Sequence, residues 1–233
     1  MAKNKTKSKK YTKKVKKRKI RFGRIFLVLI IIFLFFYLLA SVIKFPIKNI
    51  YIKGNNILSD QEIIEMVGIE NYPSIFSKTN LEMKQKLEKN MFIKKAKIEK
   101  KYLREVHITI EENYPLFYDS NKNKTVLLNK KETNKKLNAP LLMNYVPDTI
   151  YDLFFEKMSL LDDSIIKRIS EIKYDPNDVD EERFLLYMSD GNYVYLTLEK
   201  FNVINNYVNI IKTFNNKKGI LYLDSGEYFK ILE

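Results

Sequence analysis

The longest apolar run of the chain lies near its N-terminus, at residues 25–43. It contains no charged residue, glycine or proline, and only Tyr37 and Ser41 interrupt its apolar character. As a helix with a rise of 1.5 Å per residue, the run would be about 28 Å long, close to the roughly 30 Å hydrocarbon core of a bilayer. The pattern therefore predicts a transmembrane helix over residues 25–43.

Residues 45–118, directly after this helix, show the periods of both strands and helices. Apolar and polar residues alternate at residues 50–53 and 106–111, as in half-buried strands. The sequences Ser-Asp-Gln-Glu at 59–62 and Thr-Asn-Leu-Glu at 79–82 are capping boxes, each followed by a helical apolar pattern. We expect the order strand, helix, helix, strand, strand, with two helices covering one face of a three-stranded sheet.

Residues 119–233 are expected to form a second, mainly β segment. Two apolar runs, 184–188 and 193–196, flank the pair Asp190-Gly191, which is typical of a β-hairpin turn. Apolar periodicity predicts further helices and two closing strands, at residues 150–161, 164–170, 199–214, 220–223 and 228–231.

The basic residues are concentrated before the apolar run. The formal net charge is +14, and residues 1–24 hold thirteen of the 42 Lys and Arg residues and no acidic residue. The other 209 residues therefore carry 29 basic and 28 acidic side chains and are nearly neutral. Under the positive-inside rule, residues 1–24 form a cytoplasmic tail near anionic lipids, and the chain after residue 43 lies outside the membrane.

Two other interpretations of the N-terminal region are less favoured. A basic arm that binds nucleic acid would usually accompany an aromatic or folded reader, and the lysines have none beside them, so no nucleic-acid partner is expected. A cleaved signal peptide would have a shorter apolar region and a small residue at the −3 position, where Leu38 stands before Ala40-Ser41.

The residue types that carry chemistry are scarce. The chain has no cysteine and one histidine, His107, in a predicted strand, so disulfides, a zinc site and a nucleophile–histidine pair are not expected. The acidic residues at 178–182 lack the spacing of a calcium loop and are expected to be a solvated turn. We predict no catalytic, metal-binding or cofactor-binding residue and a protein that is not an enzyme, although a pair of carboxylates for glycoside cleavage stays open.

The segment 45–118 resembles a POTRA domain. The resemblance lies in Ile-Tyr-Ile-Lys-Gly-Asn at 50–55, the capped helix at 59–64, the helix at 81–90, and the strands at 96–100 and 106–112. Two residues depart from the usual pattern. Leu103 stands where a proline is common, and Asn113 stands where an arginine usually follows the glutamate.

The whole layout resembles the FtsQ/DivIB cell-division family. A basic tail at 1–24, an anchor at 25–43, a POTRA segment at 45–118 and a β-rich region at 119–233 follow each other in that order. The resemblance implies an α+β fold: one transmembrane helix, a β-α-α-β-β POTRA domain, and a mixed, mainly-β domain with a C-terminal helix and closing strands.

Membership would imply a single-pass protein of the cell membrane and division septum that acts as a scaffold of the divisome. Its partners would be small coiled-coil division proteins of the FtsL and FtsB/DivIC types, and it would link them to septal peptidoglycan synthesis. By the same resemblance, partner contacts are expected on the closing strands, at Tyr222, Leu223, Tyr228, Phe229 and Ile231. The alternative for each of these residues is that it only closes the core.

Two alternatives remain open at this point. A POTRA-bearing protein can instead chaperone polypeptides in export or membrane-protein assembly, usually with a β-barrel after its POTRA units. The 115 residues that follow here mix helices with strands and lack alternating lipid-facing segments of about ten residues. A membrane-bound wall hydrolase is the third interpretation, which an activity assay would reveal.

Overall fold

A computed structural model of the chain describes residues 22–215 and 217–232. The chain divides into two compact units, Met1–Phe45 and Pro46–Glu233. The described part of the first unit is one helix, α1, Phe22–Ile43. Its 20 residues from Phe22 to Ser41 are long and apolar enough to cross a membrane, and all of their side chains are exposed. The predicted apolar helix is thus present and begins three residues earlier, while the predictions for residues 1–21 fall outside the described residues.

The second unit begins with a small three-stranded sheet and two helices, in the predicted order. These elements are β1 (Asn49–Lys53), α2 (Asp60–Val67), α3 (Asn80–Glu88), β2 (Ile93–Lys101) and β3 (Glu105–Glu112). The central strand β3 pairs parallel with β1 and antiparallel with β2. Both helices place apolar residues against this sheet, and Ile63, Met83, Leu87 and Ile108 are almost fully buried.

The capping box predicted at 59–62 is complete, and the one predicted at 79–82 is only half formed. The Ser59 hydroxyl accepts from the Glu62 amide, and the Glu62 carboxylate accepts from the Ser59 amide, which completes the capping box. Gly68 ends α2 in the left-handed region, with φ of 69°. At α3 the Thr79 hydroxyl accepts from the Glu82 amide, while the Glu82 carboxylate is paired with Lys86.

The remainder of the unit is built on a nine-stranded sheet. Its strands are β4 (Pro115–Asp119), β5 (Lys124–Leu127), β6 (Glu132–Thr133), β7 (Leu141–Leu142), β8 (Ile169–Tyr174), β9 (Arg183–Met188), β10 (Tyr193–Thr197), β11 (Gly219–Tyr222) and β12 (Tyr228–Ile231). Their order across the sheet is β12-β11-β10-β9-β8-β7-β4-β5-β6. The sequence-based outline assigned residues 114–118 to the POTRA segment, and in the structure most of them form β4 of this larger sheet.

Helices cover one face of the large sheet. They are α4 (Asp148–Ser159), α5 (Asp163–Ile166), a 3₁₀ helix (Phe201–Asn206) and α6 (Tyr207–Thr213). The ring of Phe154 stacks on Phe184 at 4.8 Å and meets the edge of Phe201, and all three side chains are fully buried. The predicted mainly-β region with a C-terminal helix and closing strands is therefore present.

Two predicted helices differ from the structure. The helix expected at 164–170 is only one turn long, because Ile169 begins β8 and pairs with Met188. The helix expected at 199–214 begins as a 3₁₀ segment and becomes α-helical at Tyr207. In the 3₁₀ segment, the Asn205 side chain accepts a hydrogen bond from the Asp162 amide and donates one to the Leu160 carbonyl.

Candidate partner-binding edge of the large sheet

The two outer strands of the large sheet differ in their accessibility to a partner. At one end β6 is two residues long and has lysines on both sides, at 130–131 and 135–136, a composition that discourages strand pairing. At the other end β12 is four residues long, and three of its four residues are exposed. Of the two edges, β12 is therefore the one suited to accept another strand.

A tight hairpin holds β12 against β11. The two strands pair antiparallel from Gly219 opposite Ile231 to Tyr222 opposite Tyr228. A Cβ atom at Gly219 would overlap the Lys230 carbonyl oxygen and the ring of Phe229, so glycine allows β12 to approach this closely. The Phe229 ring then stacks on Phe214 at 4.6 Å and fixes the strand to the end of α6.

The pairing also determines which backbone groups of β12 face outward. The amide of Leu232 donates to the carbonyl of Lys218 at 3.0 Å, one position beyond the last residue pair of the two strands. Hydrogen-bonded and non-hydrogen-bonded pairs alternate along an antiparallel ladder, so the backbone groups of Lys230 and Tyr228 also form hydrogen bonds with β11. The N–H and C=O groups of Phe229 and Ile231 consequently point away from β11, toward the open edge.

A row of stacked side chains crosses the outer face of the sheet and ends at this edge. The Tyr222 ring stacks on Tyr195 at 5.4 Å and on Tyr228 at 4.6 Å. The guanidinium of Arg183 lies over Tyr195 at 3.9 Å from the ring centre. Burial, followed by the nearby Tyr228 and Tyr195, raises the pKa of Tyr222, so this tyrosine is a neutral phenol at physiological pH.

Two ion pairs of Arg183 link the turn between β11 and β12 to the start of β9 and to the residue after β8. The Nε of Arg183 donates to Asp224 at 2.7 Å, and a terminal guanidinium nitrogen donates to Asp175 at 2.7 Å. Burial acts to raise the pKa of Asp224, but the hydrogen bonds from Arg183 and Ser225 outweigh it and hold this pKa below its usual value. The carboxylate therefore stays charged at neutral pH and keeps the turn attached to β9.

An apolar groove runs beside β12 on the helical side of the sheet. Its volume is about 300 Å³, and it lies between α6 and the β11–β12 hairpin. Ile210, Phe214, Leu221 and Tyr228 supply its apolar walls, and Glu227 supplies a carboxylate. A strand added to β12 could place one apolar side chain in this groove.

The structure brings the five predicted contact residues together on one hairpin but exposes them unequally. Tyr228 and Ile231 are about half exposed, at 50% and 46%, and Tyr222 and Phe229 are partly buried. Leu223 is only 2% exposed and packs in the core, so its side chain contacts the groove from within. A partner can therefore contact the Leu223 side chain only through a group that it places in the groove.

Sequence reasoning missed the residues that complete this surface. Ile210 and Phe214 lie on a predicted helix whose partner element was not known, and Arg183 directly precedes the strand predicted at 184–188. Nothing in their spacing shows that they meet β12. The one available signal was the set of aromatic residues near Gly219, with Phe214 before it and Tyr222, Tyr228 and Phe229 after it.

Side chains that could ligate a metal do not cluster in the described part of the chain. Within residues 22–215 and 217–232 there is no group of three or more His, Asp or Glu side chains that could hold a metal ion. His107 stacks on Tyr51 at 4.7 Å, and its Nε2 lies 3.1 Å from a carboxylate oxygen of Glu105, so it takes part in packing on the outer face of the small sheet.

Comparison with known proteins agrees with this architecture. Residues 45–113 match the family described as POTRA domain, FtsQ-type. Cell division protein DivIB of Bacillus subtilis (strain 168) is 30% identical over 228 residues, which cover 93% of this chain and 84% of the relative. DivIB of Listeria monocytogenes serovar 1/2a is 28% identical and covers 95% of this chain and 85% of the relative.

A solved structure is also similar. The major extracytoplasmic domain of the trans isomer of DivIB from Geobacillus stearothermophilus aligns with 46% of this chain and 97% of its own, with a TM-score of 0.37 and 22% identity. The 30% identity to a DivIB protein over nearly the full chain, together with the FtsQ-type POTRA match, shows the family. This chain belongs to the DivIB family of bacterial cell-division proteins.

Proposed function

We propose that this protein is a single-pass scaffold of the division septum that binds small coiled-coil division proteins and links them to septal peptidoglycan synthesis. The partners are of the FtsL and FtsB/DivIC types. Family membership and the membrane-length helix α1 support the role, and the basic residues before α1 support a cytoplasmic N-terminus. Residues 46–233 then lie outside the cell membrane.

One observation carries the partner-binding part of the proposal: β12 is an open edge strand beside an apolar groove. A partner strand that pairs with β12 satisfies the outward N–H and C=O groups of Phe229 and Ile231. Its alternate side chains meet either the tyrosine row or the groove, because side chains alternate between the faces of a sheet. Backbone pairing supplies affinity, and the groove supplies specificity.

The proposed scaffold acts by binding and not by catalysis. The features that stand out in the described part of the chain are a sheet edge, a groove and aromatic surface residues, which are typical of interfaces. Because POTRA domains also occur in chaperone-type proteins, polypeptide handling is a second candidate function. The DivIB relatives favour a role in cell division over it.

The site is tested by the substitution Tyr228→Arg in the full-length protein. Arginine removes the stacked ring and places a charge at the mouth of the groove, so we expect affinity for the FtsL- and DivIC-type partners to fall at least about tenfold. Tyr145→Arg is the matched control, because Tyr145 is also exposed but lies outside the edge. Equal affinity of the two variants would rule out the β12 site.

The cellular role is tested separately by a fluorescent protein fused to the N-terminus in dividing cells. We expect a fluorescent band at the division site. Uniform membrane fluorescence in cells that are visibly constricting would contradict the division role, and an extracytoplasmic location of the N-terminus would contradict the proposed topology.

A further inference from the structure

Two surface loops, one between helices and one in the small sheet, flank the point where the chain enters the Pro46–Glu233 unit. The amide of Ile47 donates to the carbonyl of Pro73 at 2.9 Å, and the amide of Lys48 donates to the carbonyl of Arg104 at 2.7 Å. The first loop, residues 72–76, lies between α2 and α3, and the second is the turn between β2 and β3. Both loops are thus tied to the first residues of the unit.

Each loop exposes two large side chains. Tyr72 and Phe76 are 51% and 48% exposed on the first loop, and Tyr102 and Leu103 are 84% and 52% exposed on the second. We call these four residues the proximal rim. The ammonium group of Lys100 joins the two halves of the rim, because it donates to two main-chain carbonyls, one just before Phe76 and one between Phe76 and α3.

The backbone at the tip of the second loop is unfavourable for the residues that occupy it. Tyr102 and Leu103 have φ angles of 50° and 58°, and the Arg104 amide closes the turn on the Lys101 carbonyl at 3.3 Å. Two positive φ angles at the centre of such a turn are the pattern that strongly favours Asn-Gly. Large side chains here are strained, and local rules of this kind are usually broken where a function requires it.

The short distance along the chain to α1 and the nearby basic residues indicate which kind of surface the rim contacts. Lys48 follows Ile43, the last residue of α1, by five positions, so an extended chain permits at most about 18 Å between them. Lys44, Lys48, Lys101 and Arg104 all lie in or beside this short connection and the second loop. Along the chain, the acidic residues beside the two loops are Glu70, which is exposed, Glu99, which pairs with Lys101, and Glu105, which contacts His107.

We propose that the proximal rim rests in the headgroup region of the membrane that holds α1. Tyrosine rings and a leucine then enter the interface, where amphipathic aromatic residues are enriched, and the lysines face anionic headgroups. This inference rests on the membrane anchor of the proposed function and not on partner binding at β12.

The chain has no tryptophan, so a single introduced tryptophan reports its own surroundings. Tyr102→Trp is made in the full-length protein and reconstituted in vesicles of phosphatidylcholine and phosphatidylglycerol, with lipids brominated either near the top or near the end of the acyl chain as quenchers. Phe33→Trp, in the middle of α1, is the positive reference, and Tyr145→Trp, exposed outside the rim, is the negative one.

We expect brominated lipid to quench the tryptophan of the Tyr102→Trp variant, with a blue-shifted emission, and to leave that of Tyr145→Trp largely unquenched. If Phe33→Trp is quenched while Tyr102→Trp is as unquenched as Tyr145→Trp, the rim proposal is overturned and the anchor stands. If Phe33→Trp is also unquenched, the anchor itself fails and the rim proposal fails with it. A blue shift of Tyr102→Trp that appears only when a division partner is added, without quenching by lipid, would assign the rim to protein and overturn the lipid proposal.

A second variant separates membrane contact from folding. Tyr102→Asn with Leu103→Gly supplies the residues that the turn prefers, so the unit should unfold at the same or a higher temperature. In a Phe76→Trp background, we expect this double substitution to reduce the quenching of the introduced tryptophan by brominated lipid. Unchanged quenching with unchanged stability would show that Tyr102 and Leu103 do not hold the rim at the membrane.

Discussion

Arg183 shows how one side chain positions the proposed docking strand. Its guanidinium reaches Asp224 in the β11–β12 turn, Asp175 after β8, and the face of Tyr195, and it is only partly exposed. A planar, permanently charged group with several donors suits these three contacts at once, and lysine would not reproduce them. The strand β12 is therefore held at its turn by charge and along its length by the stack of Phe229 on α6.

Removal of the carboxylate at the turn should make this contribution measurable. We expect Asp224→Asn to lower the free energy of unfolding by about 1–3 kcal/mol at neutral pH, because Arg183 loses a charged hydrogen-bond partner. Folding lowers the pKa of Asp224 below its usual value, so the stabilisation is complete above that usual value and is lost as pH falls through the folded pKa. Thermal unfolding of wild type and variant should therefore converge at acidic pH.

Asp152→Asn is the matched control for this measurement. Its carboxylate pairs with Lys130 at 2.7 Å, but the side chain is 76% exposed, so the change should cost no more than about 0.5 kcal/mol. A difference between wild type and Asp224→Asn that persists unchanged at acidic pH would contradict the ionic role of Asp224.

At the level of single residues, sequence reasoning located the exposed strand residues but not their surroundings. Tyr228 and Ile231 could be assigned to a closing strand because the run is short, apolar and bounded by a Gly-containing turn. The burial of Leu223 and the contacts of Arg183 depend on residues that are distant in the chain, such as Tyr195 and Asp224. No local pattern reports such contacts.

Among the elements, the end of β3 holds the small sheet and its first helix together. The Glu112 carboxylate is 8% exposed and accepts hydrogen bonds from the amides of Asn56, Ile57 and Leu58 at 2.8, 2.9 and 3.1 Å. These amides belong to the turn between β1 and α2, so one buried carboxylate satisfies three backbone donors. Asn113 adds a second link from the end of β3, because its side chain donates a hydrogen bond to the carbonyl of residue 91, just before β2.

We expect Glu112→Gln to destabilise the folded unit by about 1–3 kcal/mol, because the neutral amide accepts fewer and weaker bonds and brings its own donors toward the three amides. Loss of near-UV circular dichroism on heating measures the change. The adjacent Glu111→Gln is the control, since Glu111 is exposed and only pairs with Lys94, and it should change stability by about 0.5 kcal/mol or less. Equal unfolding temperatures for the two variants would refute the role of Glu112.

Elements with complete local signals were predicted well, and elements decided by distant pairing were not. The helix after Ser59 has both a capping box and a C-terminal glycine, and its observed bounds agree with those signals. Residues 164–170 contain apolar residues that fit either a helix or a buried strand, and pairing with β9 decides for a strand from Ile169. The strand order of the large sheet, with β4 beside β7, could not be deduced from the sequence at all.

On the scale of the whole molecule, an apolar helix, a POTRA-type unit and a large sheet follow one another along the chain. The open strand β12 lies at the C-terminal end of this order, and the proximal rim lies at the start of the folded unit. The two proposed contact surfaces thus lie on different elements of the folded unit, so substitutions at one should leave the other unaffected. Partner binding and lipid contact can therefore be measured independently.

The most direct test of strand addition compares Ile231→Pro with Ile231→Ala in the full-length protein, with affinity for the FtsL- and DivIC-type partners as the readout. Both variants lose the isoleucine side chain, but only proline removes the outward N–H, and it does so without breaking a bond to β11.

If a partner strand pairs with β12, Ile231→Pro should bind about 2- to 10-fold more weakly than Ile231→Ala, as expected for one net hydrogen bond. The unfolding temperatures of the two variants should stay close to each other. Equal affinities for the two equally stable variants would contradict strand addition at β12, and with it the proposed mode of partner binding.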